Sequence, residues 1–568
     1  GGEKFMEIMF LNSIGRSDYF PPHDAWLAGY GISYYYFGYV MMAMLTQLSG
    51  FPAHLTFNVG LASLFALTCV GAFGLVYNLV QGARLWLRGR EEPEGDTSPL
   101  LWGLLGAVLV AVLGNLEGFL EVLYSVRALP QSFWQWLDIK DINQPFDPSV
   151  APSLMPARSG WWWWRASRVI HDLDPLGNSM GIQPIDEFPG FSFLLGDMHP
   201  HVLALPFVLL ALALALNALL KRPENTEPGE GWSGWLAPAR DLSLLVPLCL
   251  GALGFLNTWD FPIYWLVYLM AYALGRWDRY GGLNRLLVRD VAVTGGLVAI
   301  LGGLLYVPFY IGFQSQAGGL LPTLYVGTRF RQYFVMFGPF LVAIAGLLAV
   351  LALRLRRDLP ARALLRRWGG WTAAFALVPL ALMLLLVLTL LVVPQGRELL
   401  KGIRNDPAVR AIVGDEPWLP LLGRLLVVKL RTWVMPLVVA ALAGLGAALL
   451  QFSLGGRAPA EGQMAAAARQ PVGSREVLSQ PSVRFAILCA VAGLLLTLSV
   501  EFVYLIDNFR VRMNTIFKFY FQAWVLMAVG SAFAVYWLSR YRSKVRSAFL
   551  VAFWLLFAMG MVYPVLGN

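Results

Sequence analysis

Apolar runs of about 20 residues recur along the chain and constrain its fold more than any other feature, because that length spans a bilayer core. The 568 residues are 58% hydrophobic and 14% charged, with a mean hydropathy of +0.61. In lipid, backbone polar groups must be satisfied within the spanning segment, as in a helix. The sequence therefore predicts an all-α polytopic integral membrane protein with about twelve transmembrane helices. The predicted spans are 55–80, 99–121, 201–219, 242–257, 261–275, 291–313, 333–353, 370–393, 433–452, 485–503, 519–538 and 547–566.

The first 54 residues are predicted to form an external loop with amphipathic, interfacial helices. Tyr30–Leu48 is apolar, but its tyrosines and Gln47 suit a helix on the membrane surface better than a span. Residues 55–568 then form the transmembrane domain, which includes a long external segment at 122–200. With this layout the inside loops hold 24 of the 43 Lys and Arg residues, as the positive-inside rule requires.

Charge and cysteine content narrow the possible partners. The formal net charge is +9, but the basic residues are scattered in short loops, so membrane topology explains them better than nucleic-acid binding does. The three cysteines lie in apolar runs, so no disulfide framework is expected. The chain starts with Gly-Gly rather than Met, which suggests an amino-terminally truncated fragment that lacks at least one upstream membrane segment.

An acid and histidine cluster directly precedes the predicted span at 201–219. Two of the five histidines fall here, and charged groups at the mouth of a membrane helix need a partner or a function. A carboxylate and imidazoles so close could bind a divalent cation, Mg or Mn, or share acid/base work. Alternatively, the acid caps the helix and the histidines bind backbone or headgroups. The residues concerned are Glu187, Asp197, His199 and His201, with Asp197 and His199 as the candidate metal ligands.

A second cluster lies on the outer turn before the predicted span at 519–538. Basic residues there run against the positive-inside trend, so an anionic partner such as a lipid phosphate is expected. An internal salt-bridge network with Glu501 and Asp507 is the alternative. The candidate substrate-binding residues of this turn are Tyr504, Arg510, Arg512, Asn514 and Lys518.

Other external polar groups complete the set of candidates. Asp24, in His-Asp-Ala-Trp, is the preferred site carboxylate of the amino-terminal segment, and Asp18 is the reserve. Asp260, at the end of a span, either binds substrate or caps its helix. The four tryptophans at Trp161–Trp164 are typical of an interfacial belt and, less often, of a sugar-stacking platform.

Several motifs resemble those of the YYY family, polytopic membrane proteins named for a Tyr-Tyr-Tyr-x-Gly signature. The signature corresponds to Tyr34–Gly38, and FPPHDAWLAG, EFPGFSFLLGDMHPH, NTWDFP and RMNTIFKFYFQAW are further matches. The family label implies no particular activity.

The layout of an acidic external loop, a surface aromatic helix and a helical bundle is also similar to the GT-C class of membrane glycosyltransferases. That resemblance implies sugar transfer from a polyprenyl-phosphate donor at the outer face of the plasma membrane. Asp24 would then be the base, Asp197 and His199 would hold a cation or transfer protons, and the basic cluster would neutralise the lipid phosphate. The alternatives are a transporter or flippase for a lipid-linked or anionic solute, and a non-catalytic scaffold. Membrane lipids are partners in every case.

Overall fold

The apolar runs fold into long helices. A computed structural model of the chain describes residues 3–87, 98–156, 162–221, 242–315, 318–405, 410, 417–454, 473–540 and 543–567. In the amino-terminal half the helices are α1 (Lys4–Ile14), α2 (Phe37–Ser49), α3 (Ala53–Leu87), α4 (Pro99–Ala111), α5 (Glu117–Ser125), α6 (Gln131–Leu137), α7 (Pro189–Leu195), α8 (Pro200–Leu203), α9 (Leu205–Leu220), α10 (Leu245–Leu256) and α11 (Asp260–Tyr280). A 3-10 helix covers Trp162–Ser167.

The carboxyl-terminal half continues the same pattern. Its helices are α12 (Arg285–Leu305), α13 (Val307–Gly312), α14 (Phe330–Leu355), α15 (Ala361–Val392), α16 (Pro394–Asn405), α17 (Trp418–Leu430), α18 (Val434–Ser453), α19 (Ser474–Ser479), α20 (Pro481–Ser499), α21 (Met513–Ser539), α22 (Lys544–Gly560) and α23 (Val562–Leu566). The prediction of an all-α polytopic membrane protein is confirmed.

Nine helical segments of the described chain are long and apolar enough to cross a membrane. The other three predicted spans correspond to the short apolar helices α4 and α10 and to α11. The span predicted at 99–121 is interrupted after Ala111, where the Asn115 side chain accepts a hydrogen bond from the Glu117 backbone and starts α5. A polar cap of this kind ends one helix and begins the next.

The core is organised around α21. The apolar window of this helix is completely buried, and α21 packs against α20, α14 and α4. A helix that is apolar all round needs such a central position in order to bury every face. Trp524 and Tyr520 of α21 make edge-to-face or tilted ring contacts with Phe337 and Phe340 of α14.

The amino-terminal segment packs on the transmembrane domain. Helix α1 contributes Phe10 and Leu11 to the core, and α2 is only 13 residues long, too short to span. Gly38 of the tyrosine motif lies against Leu203, and a Cβ at this glycine would come within 2.6 Å of that side chain. The motif glycine therefore permits the close approach of α2 to α8.

Two short strands, which the sequence does not predict, tie the loop before α14 to the loop before α21. Strand β1 (Leu320–Pro322) pairs antiparallel with β2 (Val503–Leu505), with Leu320 opposite Leu505 and Pro322 opposite Val503. Three-residue strands carry too little pattern for a sequence to reveal them. Their pairing fixes the position of the basic loop that follows β2.

Candidate functional site

The acid and histidine cluster lies on an extended link between two short helices. Helix α7 ends at Gly196, whose left-handed conformation (φ 67°) lets the chain turn out of the helix. His199 is extended, and Pro200 starts α8 because it needs no hydrogen-bonded N–H at that position. Residues two apart in an extended chain point to the same side. Asp197 and His199 therefore face the same way, which a helix would not allow.

Helix α1 supplies carboxylates to this link. His199 Nδ1 lies 2.5 Å from Glu7 Oε1 and also contacts Asp197 Oδ1, while His199 Nε2 contacts Glu3. The Met198 backbone N–H donates to both oxygens of Glu7 at 3.2 Å. Glu7 is completely buried, so these contacts replace the water that its carboxylate would otherwise need.

A second group of ligand atoms lies on the other side of Asp197. His201 Nε2 is 3.5 Å from Asp197 Oδ2 and 3.9 Å from Glu187 Oε2. Ser192 Oγ lies 3.3 Å from the same histidine nitrogen and 3.5 Å from Glu187. The two oxygens of Asp197 thus face two different sets of side chains.

Among the described residues, two sets of three have ligand atoms within 4.8 Å of one another, and Asp197 belongs to both. They are Glu7, Asp197 and His199, and Glu187, Asp197 and His201. Mixed imidazole and carboxylate donors suit Mn²⁺ or Zn²⁺, whereas Mg²⁺ prefers oxygen alone. The side chains present therefore fit a divalent transition metal, which would be held by Asp197, His199 and Glu7.

Burial and interactions among these side chains raise the pKa of two of the acids and lower the pKa of the third. Burial, reinforced by the negative charge of Asp197, raises the pKa of Glu187 to about 8, and burial raises the pKa of Glu7 to about 7. Burial also disfavours the charged forms of Asp197 and His199, but their mutual hydrogen bond outweighs it. The pKa of Asp197 is therefore well below its usual range and that of His199 well above it. At neutral pH an Asp197–His199 ion pair faces a protonated Glu187, and His199 would have to lose its proton to ligate a cation.

The cluster opens into a cavity of about 550 Å³, here called the acid cavity. The start of α21, with Asn514 and Lys518, and the preceding Asp507 also line it. Asn514 Nδ2 donates to Asp507 at 2.7 Å, and Lys518 Nζ lies 5.8 Å from the centroid of the Trp259 ring. Aromatic and further polar side chains complete the lining, among them Tyr34, Tyr35, Trp164, Arg168, Asn257 and Phe313.

Six of the candidate residues therefore meet at one place, although they are widely separated in sequence. They are Glu187, Asp197, His199, His201, Asn514 and Lys518. Glu3 also lines this cavity and Glu7 lies directly behind it. Both belong to the amino-terminal segment, where the sequence predicts a site carboxylate but favours Asp24. Their spacing of four residues, one helical turn, places both on one face of α1 and was the available signal.

The other candidates lie outside the lining. Asp24 is half-buried and accepts the backbone N–H groups of Trp26 and Leu27 at 2.8 and 3.0 Å, and Asp18 is exposed. Arg510 is exposed, and its carbonyl accepts from the Tyr504 hydroxyl at 3.3 Å. Asp260 is buried at the start of α11. The structure thus gives Asp24 the role of a turn cap.

Arg512 lies in a buried ionic network, which was the alternative interpretation of the basic turn. Its Nε and Nη2 donate to Asp172 at 2.8 and 2.5 Å, and its Nη1 donates to Glu501 at 2.8 Å. Glu501 also accepts from Thr328, and Lys429 Nζ is 3.8 Å away. All four charged side chains are at least 95% buried. Arg512 therefore joins the loops that carry Asp172 and Glu501 and does not line the acid cavity.

Of the four consecutive tryptophans, Trp161 lies outside the described residues. Trp164 lines the acid cavity, and the Arg168 guanidinium lies 5.3 Å from the centroid of its ring. Trp162 is buried against Tyr563. At least part of this sequence therefore belongs to the protein interior and the cavity wall.

The comparisons with known proteins give a family but no relative of known activity. No match to the chain was found among curated proteins or among solved structures. Residues 1–527 match the family described as "Uncharacterized membrane protein (DUF2298)". This match covers the acid cavity and most of the helical bundle, so the chain belongs to that family of membrane proteins.

Proposed function

We propose that the protein is a membrane glycosyltransferase of GT-C type that transfers a sugar from a polyprenyl-phosphate carrier to an acceptor. The reaction would take place in the acid cavity, at the outer face of the plasma membrane. The observation that carries the proposal is that Asp197, His199, Glu187 and Lys518 all line this one cavity. A binding pocket with convergent polar groups is the usual setting of an active site.

Residues that line the cavity could stabilise the departing phosphate and bind the sugar ring. In glycosyl transfer an acceptor oxygen bonds to the anomeric carbon, the bond between that carbon and the phosphate oxygen breaks, and the phosphate leaves with the electron pair. Lys518 and Asn514 would stabilise the negative charge that develops on the departing phosphate. Trp164, Trp259 and Tyr35 offer flat apolar surfaces for the sugar ring.

The acceptor hydroxyl group must also lose its proton to a base in the cavity. Glu187 lines the cavity and has a pKa of about 8, raised chiefly by burial, so its ionised form is a much stronger base than an exposed glutamate. We assign this role to Glu187 rather than to Asp24, since Asp24 caps a turn outside the lining. A divalent cation held by Asp197, His199 and Glu7 would add positive charge for binding the phosphate groups.

The test is donor consumption by the purified full chain in lipid bilayers, with a panel of radiolabelled polyprenyl-phosphate sugars. Glu187→Gln and Asp197→Asn should each reduce turnover by at least about 100-fold, since a positioned acid or base contributes 10²–10⁴-fold. Asp147→Asn is the matched control, because Asp147 lies in the external segment, is exposed and does not line the cavity.

Retained turnover in both site variants would refute the assignment of the acid cavity as the active site. If wild type consumes no donor but moves a lipid-linked or anionic solute across the bilayer, the protein is a transporter or flippase. In that case the same variants should abolish flux, which would keep the cavity as a binding site without chemistry.

A further inference from the structure

A second cavity, of about 820 Å³, lies apart from the acid cavity and shares no lining residue with it. We call it the lateral cavity. Most of its wall is apolar, formed by Phe133 and Trp136 of α6, Phe330 and Phe334 of α14, and Leu556 and Met559 of α22. A space this size with an aromatic and aliphatic wall fits a hydrocarbon chain better than a water-soluble solute.

The lateral cavity lies where two spanning segments start, close to the end of a third. Helix α14 starts at Phe330 and α18 starts at Val434, and Met559 lies at the end of α22, seven residues before the end of the last candidate span, Lys544–Leu566. In the alternating order of the predicted spans these ends share one face of the membrane. Only 17% of the apolar window of the last span is buried within the protein, so its flank faces lipid. The cavity is therefore at the depth of lipid headgroups.

Three arginines line this otherwise apolar space. Arg329 pairs with Asp138. The Arg331 guanidinium lies 5.2 Å from the centroid of the Trp136 ring, and its Nε donates to a backbone carbonyl at 3.3 Å. Arg431 is exposed and forms no ion pair with any residue that the structure describes. Stacking on an aromatic ring orients a guanidinium and leaves its terminal nitrogens available for an anion.

The acids nearby do not neutralise this charge. Within the described chain, Asp174 is the carboxylate among the lining residues, and its oxygens accept the backbone N–H groups of Leu176 and Asn178 at 2.8 and 2.9 Å. With Arg329 paired to Asp138, the positive charges of Arg331 and Arg431 face a single, locally capped carboxylate. The lateral cavity therefore has an excess of positive charge beside an apolar wall.

We infer that the lateral cavity binds a membrane lipid with an anionic phosphate headgroup. Its acyl chain lies against Phe334, Leu556 and Met559, and its phosphate lies between Arg331 and Arg431. Guanidinium groups match phosphate geometry, and basic pockets at the ends of membrane helices select anionic headgroups. This inference does not depend on the catalytic proposal, because the two cavities share no residue.

The test uses the full chain in nanodiscs of phosphatidylcholine with a small fraction of phosphatidylglycerol, followed by native mass spectrometry of the retained lipids. Wild type should retain phosphatidylglycerol in preference to phosphatidylcholine. Arg431→Glu should reduce that retention by about tenfold, the effect of about 1.4 kcal/mol expected for reversing a charge near the phosphate. Arg16→Glu is the matched control, since Arg16 is exposed in the amino-terminal segment and does not line the lateral cavity.

Two further arms distinguish a whole lipid from a free phosphate. Met559→Trp fills the apolar part without changing charge and should also reduce phosphatidylglycerol retention. Glycerol 1-phosphate, a soluble headgroup without chains, should not compete. The inference is overturned if Arg431→Glu retains the anionic lipid as wild type does, if Met559→Trp has no effect, or if glycerol 1-phosphate competes as well as the lipid. A thermal midpoint equal to that of wild type establishes that each variant is folded.

Discussion

Removing the Arg512 side chain tests how the loops that carry Asp172, Glu501 and Arg512 are held together. The change is Arg512→Met, which keeps an unbranched side chain but removes the guanidinium. It abolishes two hydrogen bonds to Asp172 and one to Glu501. Glu501 keeps Thr328 and Lys429 as partners, whereas Asp172, which is 4% exposed, loses the cation that compensates its charge.

The expected loss of unfolding free energy is about 3–5 kcal/mol, the range for leaving a buried charge without its partner. The three charge-assisted hydrogen bonds, at about 1.5–3 kcal/mol each, set an upper limit above this range. Adding Asp172→Asn should recover part of the loss, by about 0.5–3 kcal/mol of coupling.

The assay is equilibrium unfolding in mixed detergent micelles, followed by tryptophan fluorescence. Arg510→Met is the matched control, with the same substitution two residues away in the same loop, where the side chain is exposed. Its effect should stay within about 0.5 kcal/mol. If Arg512→Met costs no more than Arg510→Met, or if Asp172→Asn makes the deficit worse, the buried network does not stabilise the protein.

Four further predictions concern the cavity and its support. Gly38→Ala should destabilise the protein by about 1–3 kcal/mol in the same unfolding assay, because the added Cβ would overlap Leu203; an unchanged stability would refute the close packing of α2. Titration calorimetry should detect Mn²⁺ binding to wild type that Asp197→Asn abolishes, and equal affinities would exclude Asp197 as a ligand. Donor turnover should rise with pH, reach half of its plateau near pH 8 and level off above that, since burial raises the pKa of Glu187 to about 8 and a base works ionised; a Glu187→Gln profile of the same shape would contradict this. Asp24→Asn should leave most of the turnover intact because Asp24 lies outside the cavity lining, and loss of turnover in a folded variant would return Asp24 to the site.

The transmembrane helices could be predicted from the sequence because hydropathy over a 20-residue window is set by composition alone. The interruption after Ala111 was not predictable in this way. It depends on the Asn115 side chain, which donates to the Ala166 carbonyl at 2.6 Å, 51 residues away. A contact so distant in sequence cannot be inferred from a local pattern.

The residues of the acid cavity likewise divide into those that a local sequence pattern reveals and those that only the fold brings together. The Asp197 and His199 pair stands out in sequence because charged groups are rare next to an apolar run. Glu7 does not stand out, because its role depends on α1 packing against the link at 197–199. The basic turn gave no way to distinguish Lys518, which lines the acid cavity, from Arg512, which is buried with Asp172. Asp172 lies 340 residues from Arg512, and only the fold brings the two together.

The buried position of α21 has a consequence for how a large substrate enters the acid cavity. Asn514 and Lys518 belong to a helix packed on all sides, so that wall cannot move without repacking the core. Another side of the cavity is formed by a shorter helix, α1, and by the Tyr34–Tyr35 loop. Any widening at that side would pull Glu7 away from His199 and the Met198 N–H. The movement that opens the cavity would therefore also separate Glu7 from Asp197 and His199, and a metal bound to these three residues would oppose the opening.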